Sequence, residues 1–87
     1  MQLICHMNVT SFAAWKTAFD ADHEARSVSG LTVLQVWKDA DSDTHAFVLL
    51  KVNDRARAQT WIDRSAALSS DDNSTVTHST AYFIETA

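Results

Sequence analysis

The stretch His-Ala-Phe-Val-Leu-Leu-Lys-Val, residues 45–52, decides the fold of this chain. It is too short for a typical helix and rich in residues that favour strands, so we predict a β-strand. Alternate side chains of a strand point to opposite faces, which divides the stretch into two sets. The sets are Ala46, Val48, Leu50 and Val52 on one side, and Phe47, Leu49 and Lys51 on the other. Both sets are apolar except at Lys51, so the pattern predicts a strand covered on both faces.

The segments around this strand follow a regular alternation of element types. In chain order we predict a strand over 2–9, a helix over 11–29, a strand over 31–38, the strand 45–52, a helix from residue 53 or 54 to about residue 68, and a strand over 75–85. Thr10 or Ser11 would cap the first helix, and Gly30 would end it in the left-handed conformation; Asn53 or Asp54 would cap the second helix. The acidic segment 39–43 predicts a turn, and the polar segment 69–74 predicts a flexible loop.

The side chains of each predicted strand again divide into two faces. In the first strand, Leu3, Cys5 and Met7 share one face and Ile4 and His6 the other; in the second, Leu31, Val33 and Trp37 lie opposite Leu34 and Val36; in the last, Val76, His78, Thr80, Tyr82 and Ile84 lie opposite Thr77, Ser79, Ala81 and Phe83. Helix spacing places Phe12, Trp15 and Phe19 on one face, which continues to His23 and Arg26, and gives the second helix an inner face of Ala58, Trp61, Ile62 and Ser65.

The order strand-helix-strand-strand-helix-strand is that of ferredoxin-like α+β domains with a four-stranded antiparallel sheet. Two helices cover only one face of such a sheet. The other face would expose several large apolar side chains, each contributing about 1.5–3 kcal/mol when buried. We therefore expect a second copy of the chain to cover that face in a two-fold homodimer.

The composition limits the classes of function that are open to the chain. Its 87 residues form one domain, 1–87, with 46% hydrophobic and 21% charged residues and a formal net charge of −4. This balance argues against nucleic acid and anionic membranes as partners. Cys5 is the only cysteine, so no intrachain disulfide is possible, and we interpret it as a small buried hydrophobe. We expect no signal peptide or membrane span, and a cytoplasmic location.

A recurring spacing connects the first helix to a known group of proteins. Trp15, Phe19, Arg26 and Gly30 are separated by three, six and three residues. With the valine-rich hairpin and the final strand, this pattern resembles the small dimeric α+β-barrel proteins. That superfamily includes cofactor-independent antibiotic-biosynthesis monooxygenases, polyketide cyclases, muconolactone isomerases and haem-degrading enzymes. The resemblance implies a homodimeric barrel, and it implies an enzyme only as one of several possibilities.

Two histidine-containing pairs are candidates for catalysis. His23 and Arg26 lie three residues apart on one helical face, where they would offer a base and an anion-binding group. They would otherwise be solvated positive charges at a helix end, and Arg26 would equally pair with an acidic residue of the sheet or of the partner chain. His78 and Tyr82 share a strand face about 13 Å apart, so they can line one cavity but cannot bond each other. They too are compatible with a purely structural position at a sheet edge or interface.

The remaining candidates would bind a ligand rather than react with it. His6 lies on the first strand, and its proximity to His78 depends on a register that the sequence leaves open. We expect no metal, because two histidines without a well-spaced carboxylate do not form a zinc site, and no cofactor. We expect His45 to be exposed beside the acidic turn. Trp15, Trp37 and Trp61 would be core or interface anchors, and the walls of any cavity.

These observations lead to two functional hypotheses. The first is a small homodimeric protein that binds a hydrophobic or aromatic ligand, or interacts with a partner, with no reaction that the sequence identifies. The alternative is a cofactor-independent monooxygenase or a polyketide-cyclase-like or isomerase-like enzyme acting on a hydrophobic aromatic substrate. A cavity of about 300 Å³ or more between helices and sheet, with an imidazole at its wall, would favour the enzyme, and a filled core there would contradict it.

Overall fold

A computed structural model describes residues 1–64 and 75–87. The elements are β1 (Gln2–Val9), α1 (Phe12–Ala21), α2 (His23–Val28), β2 (Leu31–Lys38), β3 (His45–Val52), α3 (Arg55–Arg64) and β4 (Val76–Ile84). The strands form one antiparallel sheet in the order β2-β3-β1-β4. The predicted α+β ferredoxin-like fold is therefore confirmed, with the first helical segment divided into α1 and α2.

The strand β3 lies inside the sheet, between β2 and β1, and begins and ends at the predicted residues. Ala46, Val48 and Leu50 point to the face that the helices cover, and all three are buried. Phe47 and Leu49 point to the other face, where they are half-buried by neighbouring side chains of the sheet. The described helices pack on the first face only, which leaves the second face, called here the open face, without a covering layer.

The core lies between the helices and the covered face of the sheet. Every second residue of β1 enters it, with Leu3, Cys5 and Met7 fully enclosed as predicted. The first helix contributes Trp15 and Phe19, whose rings are stacked with centroids 4.9 Å apart. Both belong to the cluster of buried side chains that extends to Trp61 of α3. This filled layer fixes α1 and α3 over the sheet.

The predicted caps and turns are present. Ser11 accepts a hydrogen bond from the backbone N–H of Ala14 at the start of α1, and Asp54 accepts one from Arg57 at the start of α3. Gly30 adopts φ = +72° before β2, the left-handed conformation that glycine takes without strain. In the acidic turn, Asp39 accepts a hydrogen bond from the backbone N–H of Asp41. These short-range interactions set the limits of α1, β2 and α3.

The prediction of one continuous helix over 11–29 was wrong, because the helix breaks at Asp22. The backbone there turns to φ = −86° and ψ = 12°, and its N–H donates to the Phe19 carbonyl in a tighter turn than that of an α-helix. The Asp22 carboxylate accepts a hydrogen bond from the indole N–H of Trp61, at 2.8 Å between Oδ2 and Nε1. This tertiary contact holds the break against α3, which local spacing does not reveal.

The predicted faces of β2 hold only for its first half. Val33 pairs with Leu50, but the next paired residue is Gln35, so Leu34 is an extra residue in a β-bulge. A bulge reverses the alternation of the residues that follow it. Trp37, predicted to share a face with Leu31, therefore pairs with Phe47 and lies on the open face.

The predicted faces of β4 were wrong at Val76, because a second bulge follows it. Val9 pairs with Val76 while Asn8 pairs with His78, so Thr77 is the extra residue. Val76 is buried in the core instead of sharing a face with His78 and Tyr82. The members of both predicted sets from His78 onward keep their relative positions, because they follow the bulge.

The second helix is confirmed in the part that the structure describes. Ala58 and Trp61 are buried and Ile62 is partly buried, as the predicted inner face requires. The predicted continuation to Leu68, with Ser65 on the inner face, and the predicted loop over 69–74 lie outside the described residues. Among residues 1–64 and 75–87, no helix is long and apolar enough to cross a membrane.

Candidate functional site

The open face of the sheet is divided into a polar end and an apolar part. The polar end contains His6, Asn8, His45 and His78, which come from the three neighbouring strands β3, β1 and β4. The apolar part contains Ile4, Trp37, Phe47, Leu49, Tyr82 and Ile84. Three of the chain's four histidines thus lie on the face that no described helix covers.

A histidine pair is the most specific feature of the polar end. His6 Nε2 and His45 Nδ1 are 3.1 Å apart, a distance at which one N–H donates to the other ring. The two rings are stacked with centroids 5.3 Å apart, and His6 also stacks on Phe47 at 4.7 Å. His45 is therefore half-buried and engaged, not exposed as predicted.

Asn8 lies in register between His45 on one side and His78 on the other. Its side-chain Oδ1 is buried and has no hydrogen-bond partner among the described residues. His6 itself pairs across the sheet with Thr80, so His78 is its diagonal neighbour rather than its direct partner. No group of three or more possible metal ligands occurs among residues 1–64 and 75–87.

The apolar part of the open face exposes large side chains. Trp37, on the edge strand β2, is 42% exposed. Tyr82, which is 63% exposed, and Ile84 lie on the opposite edge strand, β4. Ile4 and Leu49 between them are half-buried. A hydrophobic surface of this kind marks an interaction site more often than a solvated surface.

A cleft lies on the covered side of the sheet, between α2 and the edge strand β2. Its volume is about 340 Å³, and it is lined by His23, Arg26, Ser27, Leu31, Thr32 and Val33. Arg26 is only 4% exposed, whereas His23 on the same helix is exposed. The spacing of three residues on one helix thus does bring these two predicted site residues together at one cavity.

The environment of Arg26 explains its burial. Its guanidinium group lies 3.8 Å from the centroid of the Phe19 ring and donates from Nη1 to the Phe19 carbonyl. The Phe19 carbonyl can accept this bond because it lies in the last turn of α1, where the helix ends before Asp22. Burial lowers the pKa of Arg26, while the negative charges of Asp22 and Asp20 act in the opposite direction. The prediction that Arg26 is solvated at a helix end does not hold.

A second cleft, of about 350 Å³, lies between α2 and α3. Trp61 and Thr60 of α3 face Ala25 and Val28 of α2 across it. Val28 is 76% exposed at its rim. Asp22 at its end is bonded to Trp61, and the ionisable side chains that line this cleft among the described residues are Asp22, Glu24 and Arg64.

The predicted site residues are thus distributed over both faces of the sheet. His6, Trp37, His78 and Tyr82 lie on the open face, whereas Trp15, His23, Arg26 and Trp61 lie on the helical side. Trp15 is enclosed in the core, so it does not line a cavity as a free wall. Sequence reasoning missed Asn8 and the role of His45, because only the strand register places them beside His6 and His78.

Comparison with known proteins places the fold. A protein from Deinococcus radiodurans described as a "putative antibiotic biosynthesis monooxygenase" superposes with a TM-score of 0.62 and 16% identity, covering 100% of this chain and 95% of that one. This chain has the same fold. A protein from Nitrosomonas europaea with the same description gives 0.60 and 16%, covering 95% and 97%. No protein-family model and no curated protein matches the sequence.

The fold likeness agrees with the resemblance drawn from Trp15, Phe19, Arg26 and Gly30. The fold of these two proteins is thereby confirmed for this chain. At 16% identity the likeness concerns the path of the backbone. The residues of this chain must therefore support any function by their own geometry.

Proposed function

We propose that the chain is a homodimeric ligand-binding protein in which two copies pack together through their open sheet faces. The observation that carries the proposal is the difference in burial between the two faces of the sheet. The covered face is buried beneath α1 and α3, while the open face presents Trp37, Tyr82 and Ile84 to solvent. Burying a large apolar side chain stabilises a protein by about 1.5–3 kcal/mol, so pairing two such faces is strongly favoured.

Two-fold symmetry also suits the shape of this surface. In a two-fold dimer both copies use the same patch, so the apolar part of one open face can pack against that of the other. The open face of the four-stranded sheet offers an area for such contact. The polar end, with His6 and His45, would provide hydrogen bonds at one part of the interface. A polar group beside an apolar centre is the usual composition of a specific interface.

The ligand site that we propose is the cleft between α2 and β2. Its volume of about 340 Å³ suits a small molecule. Leu31 and Val33 supply an apolar wall, and His23 and Arg26 supply polar groups at the opposite side. The open face remains free for the second copy, so ligand binding and dimerisation use different surfaces of the same chain.

A pair of matched substitutions tests the dimer. Leu49→Lys places a charge on the open face, and Val28→Lys places the same charge on an exposed position of α2. We expect Leu49→Lys to weaken dimerisation by about a hundredfold or more, because a lysine at the interface centre must be desolvated. Val28→Lys should leave dimerisation unchanged. Equal sedimentation of both variants and the parent chain would contradict the proposal.

The second candidate function is a cofactor-independent monooxygenase acting on a hydrophobic aromatic substrate. Two observations favour it: the fold is shared with proteins described as monooxygenases, and the cleft between α2 and β2 has an imidazole at its wall. In that site His23 would be the general base and Arg26 would bind an anionic group of the substrate. His78 and Tyr82 lie on the other face, where they would meet a substrate only between two copies.

Oxygen consumption with electron-rich phenolic substrates tests this candidate. If the cleft is the site, His23→Ala lowers turnover by about a hundredfold, the usual contribution of a general base, and His78→Ala leaves it unchanged. If the site lies between the two sheets, the effects are reversed and Tyr82→Phe also lowers turnover. Equal activity of all three variants would exclude both assignments.

A further inference from the structure

Arg26 is a buried cation whose hydrogen-bonding capacity is mostly unused. A guanidinium group has five N–H donors, and buried charges in proteins are normally paired. Arg26 is 4% exposed, yet its hydrogen bonding within residues 1–64 and 75–87 consists of one bond to the Phe19 carbonyl. No carboxylate of the described residues lies within salt-bridge distance of it.

The two acidic side chains whose charges act on Arg26 both have other partners. Asp20 forms a salt bridge with Lys16, with Nζ 2.7 Å from Oδ1. Asp22 accepts the indole N–H of Trp61 at 2.8 Å. Within the described residues no hydrogen bond or salt bridge joins either carboxylate to the Arg26 guanidinium group, so their charges act on it through space. Among residues 1–64 and 75–87 the cation has no hydrogen-bonded anion, which is the group that most strongly stabilises a buried arginine.

The cleft beside Arg26 has the chemistry that a carboxylate ligand requires. The residues that line it include an arginine, a histidine and two hydroxyl residues, Ser27 and Thr32, but no aspartate or glutamate. This is a local exception in a chain whose formal net charge is −4. Leu31 and Val33 make the remaining wall apolar. The arrangement suits a molecule with a negative group at one end and a hydrocarbon body at the other.

We propose that the cleft between α2 and β2 binds a small organic acid, with its carboxylate paired to the Arg26 guanidinium and its apolar part against Leu31 and Val33. Arg26 offers the planar donors that match a carboxylate in two parallel hydrogen bonds. His23 lies at the same cleft and adds a donor from the first turn of α2. The proposal rests on the ligand-binding function and names the class of ligand, but it does not depend on the dimer.

Benzoate is the probe that tests the proposal, and benzamide is its uncharged counterpart of nearly the same shape. We expect benzoate at about 10 mM to raise the unfolding midpoint and to bind at least about tenfold more tightly than benzamide. In two-dimensional NMR spectra, the benzoate-dependent shifts should fall on Ser27 and Val33, not on Thr60 of the other cleft. Benzoate binding equal to benzamide binding, or shifts confined to the other cleft, would overturn the proposal.

Two substitutions on one helix provide a matched control, because Arg26 itself is buried and its replacement can unfold the chain. His23→Glu places a tethered carboxylate at the cleft, three residues from Arg26 and on the same helical face. Ala25→Glu lowers the net charge equally on the same helix but lines the cleft between α2 and α3. We expect His23→Glu to weaken benzoate binding by at least about tenfold, and Ala25→Glu by less than about twofold. Equal effects of the two variants would overturn the proposal.

The outcome also separates this inference from the ligand-binding function itself. Binding of benzamide in the cleft without a preference for benzoate would overturn the carboxylate proposal and leave a ligand-binding cleft. Absence of both ligands from the cleft would overturn both. Arg26→Lys keeps the positive charge but loses the paired donors, so the proposal predicts about a tenfold loss of benzoate affinity in a folded variant.

Discussion

His6 and His45 are joined by a hydrogen bond across two strands, with His6 Nε2 and His45 Nδ1 3.1 Å apart. They come from positions that are not direct partners in the sheet, since His6 pairs with Phe47 and His45 with Asn8. One ring must donate and the other must accept, so the tautomer of each depends on the other. The stack with Phe47 holds His6 in the orientation that this bond requires.

The energy of this pair can be measured by a double-mutant cycle. Alanine at His6 or at His45 should lower the free energy of unfolding by about 1 kcal/mol, from the lost hydrogen bond and ring contact. The double variant should lose less than the sum, with a coupling of about 0.5–1 kcal/mol. Urea unfolding gives all four values. His23→Ala is the control, because His23 is exposed and should change stability by less than about 0.5 kcal/mol. Strict additivity would contradict the interaction.

The contact between Asp22 and Trp61 is expected to hold the helix break against α3. Asp22→Ala removes a charged acceptor from the indole N–H and should lower the free energy of unfolding by about 1.5–3 kcal/mol. Asp22→Asn keeps an acceptor and should cost less. Asp63→Ala is the matched control, since Asp63 accepts only from the exposed Gln59 within the described residues. Equal effects of Asp22→Ala and Asp63→Ala in thermal unfolding would show that the contact contributes nothing.

The buried thiol of Cys5 is expected to lower the free energy of unfolding at alkaline pH. Burial raises the pKa of its thiol to about 12. In the unfolded chain the thiol ionises above about pH 8.5, so the unfolded state is favoured as pH rises beyond that value. The free energy of unfolding should fall by up to about 1.4 kcal/mol per pH unit between pH 9 and 12 from this group alone.

A variant without the thiol isolates this contribution. Cys5→Ala will be less stable at neutral pH, because it leaves a small cavity, but its stability should decline less steeply in alkali. The difference between the two pH profiles, measured by urea unfolding, is the predicted quantity. A thiol reagent should also react with the parent chain at pH 8 only as fast as it unfolds. Parallel pH profiles or rapid labelling of the folded chain would contradict the burial of Cys5.

Much of the fold could be predicted from local patterns in the sequence. The two apolar faces of residues 45–52 and the glycine at position 30 gave the limits of β2 and β3 correctly. The change in which face the side chains point to across a bulge could not be predicted, because a bulge is one extra residue that no sequence pattern marks. Trp37 and Val76 were therefore assigned to the wrong faces.

The candidate site was less accessible to sequence reasoning than the fold was. His23 and Arg26 share a helical face, so their common cleft follows from spacing. The burial of Arg26 does not, since it depends on a helix break that is held by Trp61 from α3. The pairing of His6 with His45 depends on the register between β1 and β3. A shift of the register by two residues keeps every side chain on the same face, so the alternation of side chains does not determine it.

The mass of the purified chain in solution tests the central claim, that a second copy covers the open face of the sheet. Light scattering at about 10 μM, a concentration far above the dissociation constant expected for an apolar interface, gives this mass directly. The proposed dimer predicts twice the chain mass of 9.7 kDa, about 19 kDa, in a single symmetric species. A stable, unaggregated particle of 9.7 kDa at that concentration would contradict the claim.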